Sequence, residues 1–317
     1  MQLSLTESMG CPGNDCHTLD TYQGKEVRWC VGCGDRMILE TIQKYCHDEQ
    51  LIPEKTVFVA GIGCAARFPH YMGTYGFHGL HGRALPVASG IKMHRPDLHV
   101  FVNTGDGDCC SIGAGHWIHA IRQNPNITVF LHDNRIYGLT KKQASPTSPK
   151  GLTSNTTPGG VPIDPLNPAL TTLGVANVSF VAQVVDWLPE LLYQTISMAH
   201  KHKGLSFVSI LQRCPTFLPT HFDPWLRDAD RLLFLTHDQG ICPSAELSAT
   251  LRRQEIHDPA DLDRARLLAA DTENIPVGIF YHNPSVPCYE DMLRPGTSPT
   301  PDQVRQGLEA QFDRFAV

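Results

Sequence analysis

The feature that most constrains the fold is a series of short, continuous apolar runs. They lie at residues 56–60, 99–104, 127–132, 178–181 and 205–211. Because these runs do not alternate polar with apolar side chains, they are typical of strands that are covered on both faces. Segments with the apolar spacing of helices lie between them, at residues 35–47, 82–94, 111–123, 169–173 and 187–201. The alternation predicts an α/β fold built on a mainly parallel sheet.

Three segments depart from this alternating pattern. Residues 1–29 are polar and irregular, and we expect an N-terminal arm there. Residues 143–168 are rich in Pro, Ser, Thr and Gly, so we expect a long loop. The chain then becomes rich in Pro and Asp, and we interpret residues 218–317 as an irregular tail that wraps over the domain or over a partner. Residues 30–217 are left as the ligand-binding domain.

The composition excludes several classes of function. The 317 residues are 41% hydrophobic, which is enough to bury a core, and the net charge of −6 argues against nonspecific nucleic-acid binding. Residues 1–10 lack the basic and apolar regions of a signal peptide, and no apolar run approaches the ~18 residues that span a bilayer. We therefore expect a cytoplasmic protein with no membrane partner, whose 11 cysteines are metal ligands or reduced thiols.

Two polar segments follow neighbouring predicted strands, where a parallel sheet binds its ligands. The segment Gly-Asp-Gly-Asp at 105–108 has glycines that allow close approach of a phosphate, and Asp106 offers a hard oxygen to a divalent cation. The second segment contains Asn134, which offers a neutral oxygen. The pair is similar to the fingerprint of thiamine diphosphate enzymes, and it predicts a diphosphate bridged by Mg²⁺.

Four cysteines fall where their thiolates could converge. Cys30 and Cys33 form a C-x-x-C pair beside glycines, while Cys64 and Cys214 follow the ends of predicted strands. A zinc site usually has two such pairs, and a redox dithiol would leave two of the cysteines without a role. A [4Fe–4S] cluster accepts scattered cysteines. The thiamine fingerprint favours the cluster, because an electron acceptor beside thiamine makes chemical sense.

Several ordered motifs of this sequence resemble the beta subunits of 2-oxoacid:ferredoxin oxidoreductases, especially those of the 2-oxoglutarate type. They cover about residues 25–220 and occur in the order WCVGCGD, GIGCAARFP, TYGFHGLHGRALPVASGIK, NTGDGD, DNRIYGLTKKQASPTSPKG and QRCPTF. The resemblance implies a three-layer thiamine-diphosphate-binding fold of the pyrophosphate type. The sequence departs from the commoner family pattern Thr-Lys-Gly-Gln at Lys142, which puts in doubt which lysine meets the substrate.

The resemblance also implies the residues of the site. One [4Fe–4S] cluster would be held by Cys30, Cys33, Cys64 and Cys214. Mg²⁺ would be held by Asp106, Asn134 and the backbone carbonyl of Ile136. Around these ligands, thiamine diphosphate would be lined by Ile62, Gly63, Cys64, Ala65, His81, Gly105, Gly107, Asp108, Gly138, Leu139 and Thr140. Lys141 would meet the carboxylate of the substrate.

The implied reaction is oxidative decarboxylation of a 2-oxoacid, with 2-oxoglutarate as first choice, or the reverse carboxylation. Thiamine would store the electron pair, and the cluster would pass the electrons singly, through a cofactor radical, to ferredoxin. Coenzyme A would take the acyl group. Residues 218–317 are too few and too irregular for a second thiamine domain. We therefore expect an alpha subunit to supply the activating glutamate, in an αβ or (αβ)₂ assembly.

Two other functions stay open at this point. A cluster-free thiamine decarboxylase or dehydrogenase subunit would bind no iron. A zinc-stabilised interaction module would bind zinc and no thiamine. Within the cluster hypothesis, Cys11 and Cys16 of the arm are rival ligands, and Lys142 and Arg67 are rival contacts for the substrate.

Overall fold

The strands of the molecule form one sheet. The computed structural model describes residues 16–238, 240–271, 273–293 and 300–315. The strands are β1 (Thr56–Ala60), β2 (Tyr75–His78), β3 (His99–Gly105), β4 (Thr128–Asp133), β5 (Phe180–Val185), β6 (Ser206–Leu211), β7 (Leu232–Thr236), β8 (Gln254–Ile256) and β9 (Ile275–His282). Their order across the sheet is β2-β1-β3-β4-β6-β5-β9-β7-β8. Neighbouring strands in this order are parallel except β5 and β9, which are antiparallel.

Helices cover both faces of the sheet. The α-helices of the described residues are α1 (Gly34–Asp48), α2 (Ala84–His94), α3 (Ala114–Gln123), α4 (Pro168–Leu173), α5 (Pro189–Lys201), α6 (Asp223–Arg227), α7 (Ala245–Thr250), α8 (Leu262–Ala269), α9 (Tyr289–Leu293) and α10 (Pro301–Phe315). Residues of α1 and α5 pack in one hydrophobic core, and residues of α2, α3, α4 and α8 pack in the other. None of the helices in the described ranges is long and apolar enough to cross a membrane.

The alternation of side chains along each strand separates the two cores. Successive side chains of a strand point to opposite faces of the sheet. In β1, Phe58 lies in the core with α1 and α5, while Val57 and Val59 lie in the core with α2 and α3. Phe101 of β3 stacks on Phe58 with ring centroids 4.9 Å apart. The apolar runs are continuous because both faces of each strand are buried.

The structure confirms the predicted α/β class and the mainly parallel sheet. Each strand and helix predicted between residues 30 and 217 is present within a few residues of its expected position. The apolar pattern does not predict β2, whose side chains are all exposed and which pairs with β1 at the edge of the sheet. An exposed edge strand needs no continuous apolar run, so it leaves no such pattern in the sequence.

The expectation of an irregular tail at residues 218–317 is wrong. The strands β9, β7 and β8 continue the sheet beyond β5. Both β7 and β9 are largely buried, and Ile279 and Phe280 of β9 contribute to the two cores. The Pro- and Asp-rich stretches are the connections between these short elements. The sheet that carries the predicted site therefore continues into the C-terminal third of the chain.

The described part of the N-terminal arm packs against the domain. Tyr22 is fully buried, and its hydroxyl donates to the carbonyl of Leu51 at 2.9 Å. The N–H of His17 donates to Gln50 Oε1 at 2.9 Å, just beyond the C-terminal end of α1. Residues 1–15, with the rival ligand Cys11, lie outside the described residues. The first described residues of the arm therefore lie beside the C-terminal end of α1.

Two histidines at the end of α5 stay neutral inside the folded protein. His200 Nδ1 lies 2.8 Å from the hydroxyl of Tyr45, and its Nε2 lies 2.9 Å from Nδ1 of His99. His202 Nε2 lies 2.9 Å from the hydroxyl of Ser179. Burial, reinforced by neighbouring histidines, lowers the pKa of His200 to about 3 and the pKa of His202 to about 4. The unfolded chain would protonate both at much higher pH.

Acid should destabilise the fold through these histidines. Between the folded pKa values and the ordinary histidine value of 6.5, the unfolded chain binds more protons. The free energy of unfolding therefore falls as the pH decreases, by up to about 1.4 kcal/mol per pH unit for each histidine. We expect His202→Gln to reduce the loss of stability between about pH 7 and about pH 5, measured by urea unfolding. His119→Gln, at an exposed position, should not change it. Equal pH dependence in wild type and His202→Gln would contradict this account.

Candidate active site

Parallel register brings the predicted ligand segments to one edge of the sheet. The strands β1, β3, β4 and β6 are neighbours that run in one direction, so the chain leaves all of them at the same edge. The Gly-Asp-Gly-Asp turn follows β3, and cysteine-bearing turns follow β1 and β6. Because Gly105 pairs with His132, Asp106, which follows β3, lies beside Asp133, the last residue of β4. This is the edge at which open α/β sheets bind ligands.

Two buried carboxylates stand at the centre of this edge. Asp106 and Asp133 are 2% and 1% exposed. The hydroxyl of Thr147 lies 2.7 Å from an oxygen of each, and the hydroxyl of Ser145 also donates to Asp106. One hydroxyl has one hydrogen, so Thr147 cannot donate to both carboxylates at once. Burial, and then the charge of Asp133, raise the pKa of Asp106 to about 7. A divalent cation fits here, because it would relieve this repulsion and prefers such oxygen donors.

The turn after β4 is fixed by its own hydrogen bonds. Arg135 has a left-handed φ of 61°, and its N–H donates to Asp133 Oδ1 at 3.2 Å. The side-chain oxygen of Asn134 accepts from the N–H of Ile136 at 3.1 Å, and Asn134 is largely buried. A carbonyl oxygen has two lone pairs, so this amide can also offer an oxygen to a cation.

Tyr137 is a site residue that the sequence does not identify. Its hydroxyl donates to the carbonyl of Gly107 at 3.0 Å. A Cβ atom at position 107 would overlap the ring of Tyr137, so the phosphate turn needs glycine there. The tyrosine thereby joins the turn after β3 to the turn after β4. A single aromatic residue in a loop has no periodic pattern that would reveal such a contact.

Asp108 holds three segments of the edge together. Its Oδ1 accepts from the N–H groups of Ile62 and Gly82, at 3.1 and 2.7 Å, and lies 2.6 Å from Nδ1 of His81. Its Oδ2 accepts from the hydroxyl of Thr104 at 2.8 Å. Hydrogen bonds to a buried carboxylate are among the stronger ones in proteins. Asp108 therefore fixes Ile62 and His81, two residues predicted to line thiamine diphosphate.

The cysteines predicted as cluster ligands lie in one region. Burial, and then the charge of Asp35, raise the pKa of Cys64 to about 12, and the nearby Cys214 and Cys30 add to the increase. The charge of Cys64 in turn contributes to the raised pKa of Cys33. Cys30 is exposed, and the other three are half-buried. Within the described ranges, no group of three or more His, Cys, Asp or Glu side chains is arranged to hold a single metal ion. A [4Fe–4S] cluster does not need its cysteines to converge on a single ion, because each thiolate binds a different iron atom.

A buried ion pair fixes the loop after β6 against the C-x-x-C motif. Asp186 is fully buried and accepts from Nη2 and Nε of Arg213 at 2.8 and 2.9 Å. The carbonyl of Arg213 accepts from the N–H of Gly34 at 3.1 Å, and a Cβ atom at Gly34 would crowd Asp186. Gln212 Nε2 donates to the sulfur of Cys33 at 3.4 Å. The ion pair therefore holds the residues around Cys33 and those before Cys214 together.

Cys16 is remote from this region. It precedes His17, which binds the chain just beyond the C-terminal end of α1. Cys33 precedes the N-terminal end of the same helix, whose 15 residues span about 22 Å at ~1.5 Å per residue. The position of Cys16 therefore disfavours it as a rival ligand.

The predicted substrate lysines lie in a tightly folded loop. Lys141 and Lys142 have left-handed φ values of 75° and 71°. Their N–H groups donate to the carbonyls of Gly138 and Tyr137, each at 3.0 Å. A Cβ atom at Gly138 would lie 3.4 Å from the sulfur of Cys64, so the loop begins beside that cysteine. The Lys141 side chain is exposed, and the Lys142 side chain is half-buried.

The other predicted pocket residues lie along the same edge. Gly63 has a φ of 139° and precedes Cys64, and Ala65 is buried where a short 3-10 helix begins. Leu139 and Thr140 are exposed at the start of the lysine loop. The structure therefore groups the predicted residues around the ends of β1, β3 and β4.

Comparisons with known protein families agree with the fold. The family model described as thiamine pyrophosphate enzyme, C-terminal TPP binding domain, matches residues 59–210. A second model, which describes the C-terminal part of the pyruvate ferredoxin oxidoreductase beta subunit, matches residues 248–297, which include β8 and β9. The C-terminal strands that the composition did not predict thus belong to a recognised part of such subunits.

Individual relatives cover most of the chain. The 2-oxoglutarate oxidoreductase subunit KorB of Mycobacterium tuberculosis is 39% identical over 92% of this chain and 85% of its own length. The 2-oxoacid:ferredoxin oxidoreductase 2, subunit beta, of Aeropyrum pernix is 36% identical over 88% of this chain and 89% of its own length. A solved structure of the 2-oxoglutarate:ferredoxin oxidoreductase from Magnetococcus marinus, with 2-oxoglutarate, coenzyme A and succinyl-CoA bound, is also similar. It is 33% identical, has a TM-score of 0.76, and covers 96% of this chain and 97% of its own.

The fold and the family models define an oxidoreductase subunit with a thiamine pyrophosphate-binding domain. The relatives then identify it more closely. The chain belongs to the beta subunits of the 2-oxoacid:ferredoxin oxidoreductases, which are subunits of complexes that also contain an alpha subunit.

The role of Asp108 can be tested by a pair of variants. Asp108→Ala removes the acceptor that fixes Ile62, Gly82 and His81. We expect it to weaken thiamine diphosphate binding by about 10- to 100-fold, since lost hydrogen bonds to a charged group cost about 1.5–3 kcal/mol. Asp108→Asn keeps an oxygen acceptor, so its affinity for thiamine diphosphate should fall much less. Calorimetric titration of the assembled complex measures both, and unchanged affinity in Asp108→Ala would refute the role.

Proposed function

We propose that this chain carries the cofactors of a 2-oxoglutarate:ferredoxin oxidoreductase that forms succinyl-CoA and CO₂, or catalyses the reverse carboxylation. The observation that supports this most is the common edge of the sheet, where the phosphate turn, the buried carboxylates and the cysteines lie together. Thiamine diphosphate supplies a carbanion sink for decarboxylation, and a [4Fe–4S] cluster supplies an acceptor for single electrons on their way to ferredoxin. The solved relative that holds 2-oxoglutarate, coenzyme A and succinyl-CoA supports the choice of substrates.

In this proposal, oxygen ligands at the ends of β3 and β4 hold Mg²⁺. They are the carboxylate of Asp106, the side-chain oxygen of Asn134 and the backbone carbonyl of Ile136. The buried, mutually repelling carboxylates of Asp106 and Asp133 support a cation there. Gly107 allows Tyr137 to pack against the turn that would bind the diphosphate, and Asp108 holds His81 beside that turn.

The cluster is proposed to be held by Cys30, Cys33, Cys64 and Cys214. The electrostatic coupling of Cys64 to the other three supports this set. The protein also fixes the segments that carry them. Trp29 Nε1 donates to the carbonyl of Cys64 at 2.8 Å, which joins the C-x-x-C segment to the turn after β1.

We propose that residues 30–217 carry all of the cofactor ligands, on a sheet that the strands of residues 218–317 extend. An alpha subunit then supplies the glutamate that activates thiamine. Exposed apolar residues of β2 and of the segment that follows it support a covering partner, since Tyr75, Phe77 and Leu80 are 62%, 47% and 74% exposed. Soluble proteins seldom leave such side chains together in water unless a partner binds them.

The ligand set is tested by iron content. Cys214→Ser, purified anaerobically with its alpha subunit, should lose the [4Fe–4S] signal in electron paramagnetic resonance and most of its iron, because a hydroxyl is a poor substitute for a thiolate. Cys242→Ser, in an exposed position of the C-terminal segment, is the matched control and should keep both. Full iron content in Cys214→Ser, together with loss in Cys16→Ser, would move the cluster to the arm.

The substrate contact is tested by the two adjacent lysines. We propose that the Lys141 ammonium binds the carboxylate of the 2-oxoacid, a contact worth about 1.5–3 kcal/mol. Lys141→Ala should raise KM for 2-oxoglutarate by roughly 10- to 100-fold while iron and thiamine contents stay normal. Lys142→Ala is the matched control. If KM rises only in Lys142→Ala, Lys142 binds the substrate carboxylate. If KM changes in neither variant, the alpha subunit binds it.

A further inference from the structure

Asp35 is a buried acidic residue beside the proposed cluster ligands. It lies two residues after Cys33 of the C-x-x-C motif, in the first turn of α1, and is fully buried. Its Oδ2 lies 3.5 Å from the sulfur of Cys33. Its Oδ1 lies 2.7 Å from Nδ1 of His132. Asp35 is not among the proposed ligands of any cofactor, so its burial beside a cysteine calls for another explanation.

The carboxylate of Asp35 is in direct contact with one of the proposed ligands. It touches the sulfur of Cys33 and is shielded from water. At so short a distance, in a medium of low dielectric constant, a carboxylate charge opposes further negative charge on the sulfur.

The partner of Asp35 orients its carboxylate. His132 is buried on β4, and its Nε2 lies 3.0 Å from the side-chain nitrogen of Asn103. That amide nitrogen is a donor, so Nε2 accepts and Nδ1 carries the hydrogen that His132 donates to Asp35. Asp186, another buried carboxylate close to the C-x-x-C motif, is instead paired with the guanidinium of Arg213.

We propose that Asp35 is a positioning residue for electron transfer, whose buried negative charge lowers the reduction potential of the [4Fe–4S] cluster. The inference rests on the proposed function. The reduced cluster carries one more negative charge than the oxidised cluster, so a nearby fixed negative charge in a medium of low dielectric constant disfavours reduction. The cluster takes up one electron and passes it to ferredoxin, and no bond forms or breaks at Asp35. A lower potential makes the reduced cluster a stronger donor to ferredoxin.

The test is the midpoint potential of the cluster, measured by redox titration with electron paramagnetic resonance on the anaerobically purified complex. Asp35→Asn keeps the shape of the side chain and removes its charge, so the potential should shift to more positive values. Asp35→Glu keeps the charge and should stay closer to wild type. Glu40→Gln makes the same change of charge at an exposed position of α1 and should produce little shift, because water and salt screen it.

The outcomes separate this inference from the proposed function. Absence of a cluster from the wild-type complex would refute the proposed function itself. A loaded Asp35→Asn variant with the wild-type potential would overturn only the inference. Asp35→Thr is a second neutral variant for the same comparison. Loss of the cluster in both neutral variants, with retention in Asp35→Glu, would overturn the inference in favour of a structural role.

Discussion

The parallel register of β1, β3, β4 and β6 is the constraint on which the site depends. In a parallel sheet every strand ends at the same edge, so turns far apart in sequence become neighbours. The pairing of Gly105 with His132 places Asp106 beside Asp133, and the positions of β1 and β6 bring Cys64 and Cys214 to that edge. A shift of one strand by one residue would turn its side chains to the opposite face and separate these groups.

Buried carboxylates organise this edge, and each is satisfied in a different way. Asp186 is paired with a guanidinium, Asp108 accepts from backbone and side-chain donors, and Asp35 accepts from an imidazole. Asp106 and Asp133 instead lie side by side, with the hydroxyl of Thr147 2.7 Å from an oxygen of each. Asp186 and Asp108 hold loops in place. The adjacent pair, whose negative charges repel each other, is where a divalent cation fits best.

The strands and helices between residues 30 and 217 could be predicted because burial on both faces produces continuous apolar runs. The strand β9 could not, because Pro276 and Gly278 interrupt its apolar sequence, and β8 has three residues. Asp106 was identifiable because it directly follows a strand. Thr147 reaches the same point from a Pro-rich loop, and that contact depends on how the loop folds back. Sequence patterns therefore predict site residues that directly follow a strand. They do not predict site residues whose position depends on the fold of a long loop.

The central claim is that one edge of this chain brings the thiamine site and the iron–sulfur site within reach of each other. Its most direct test is anaerobic addition of 2-oxoglutarate to the αβ complex loaded with thiamine diphosphate and Mg²⁺, without ferredoxin. Electron paramagnetic resonance and the visible absorption of thiolate-bound iron report the state of the cluster. The account predicts that 2-oxoglutarate reduces the cluster. Release of CO₂ while a loaded cluster stays oxidised would contradict it.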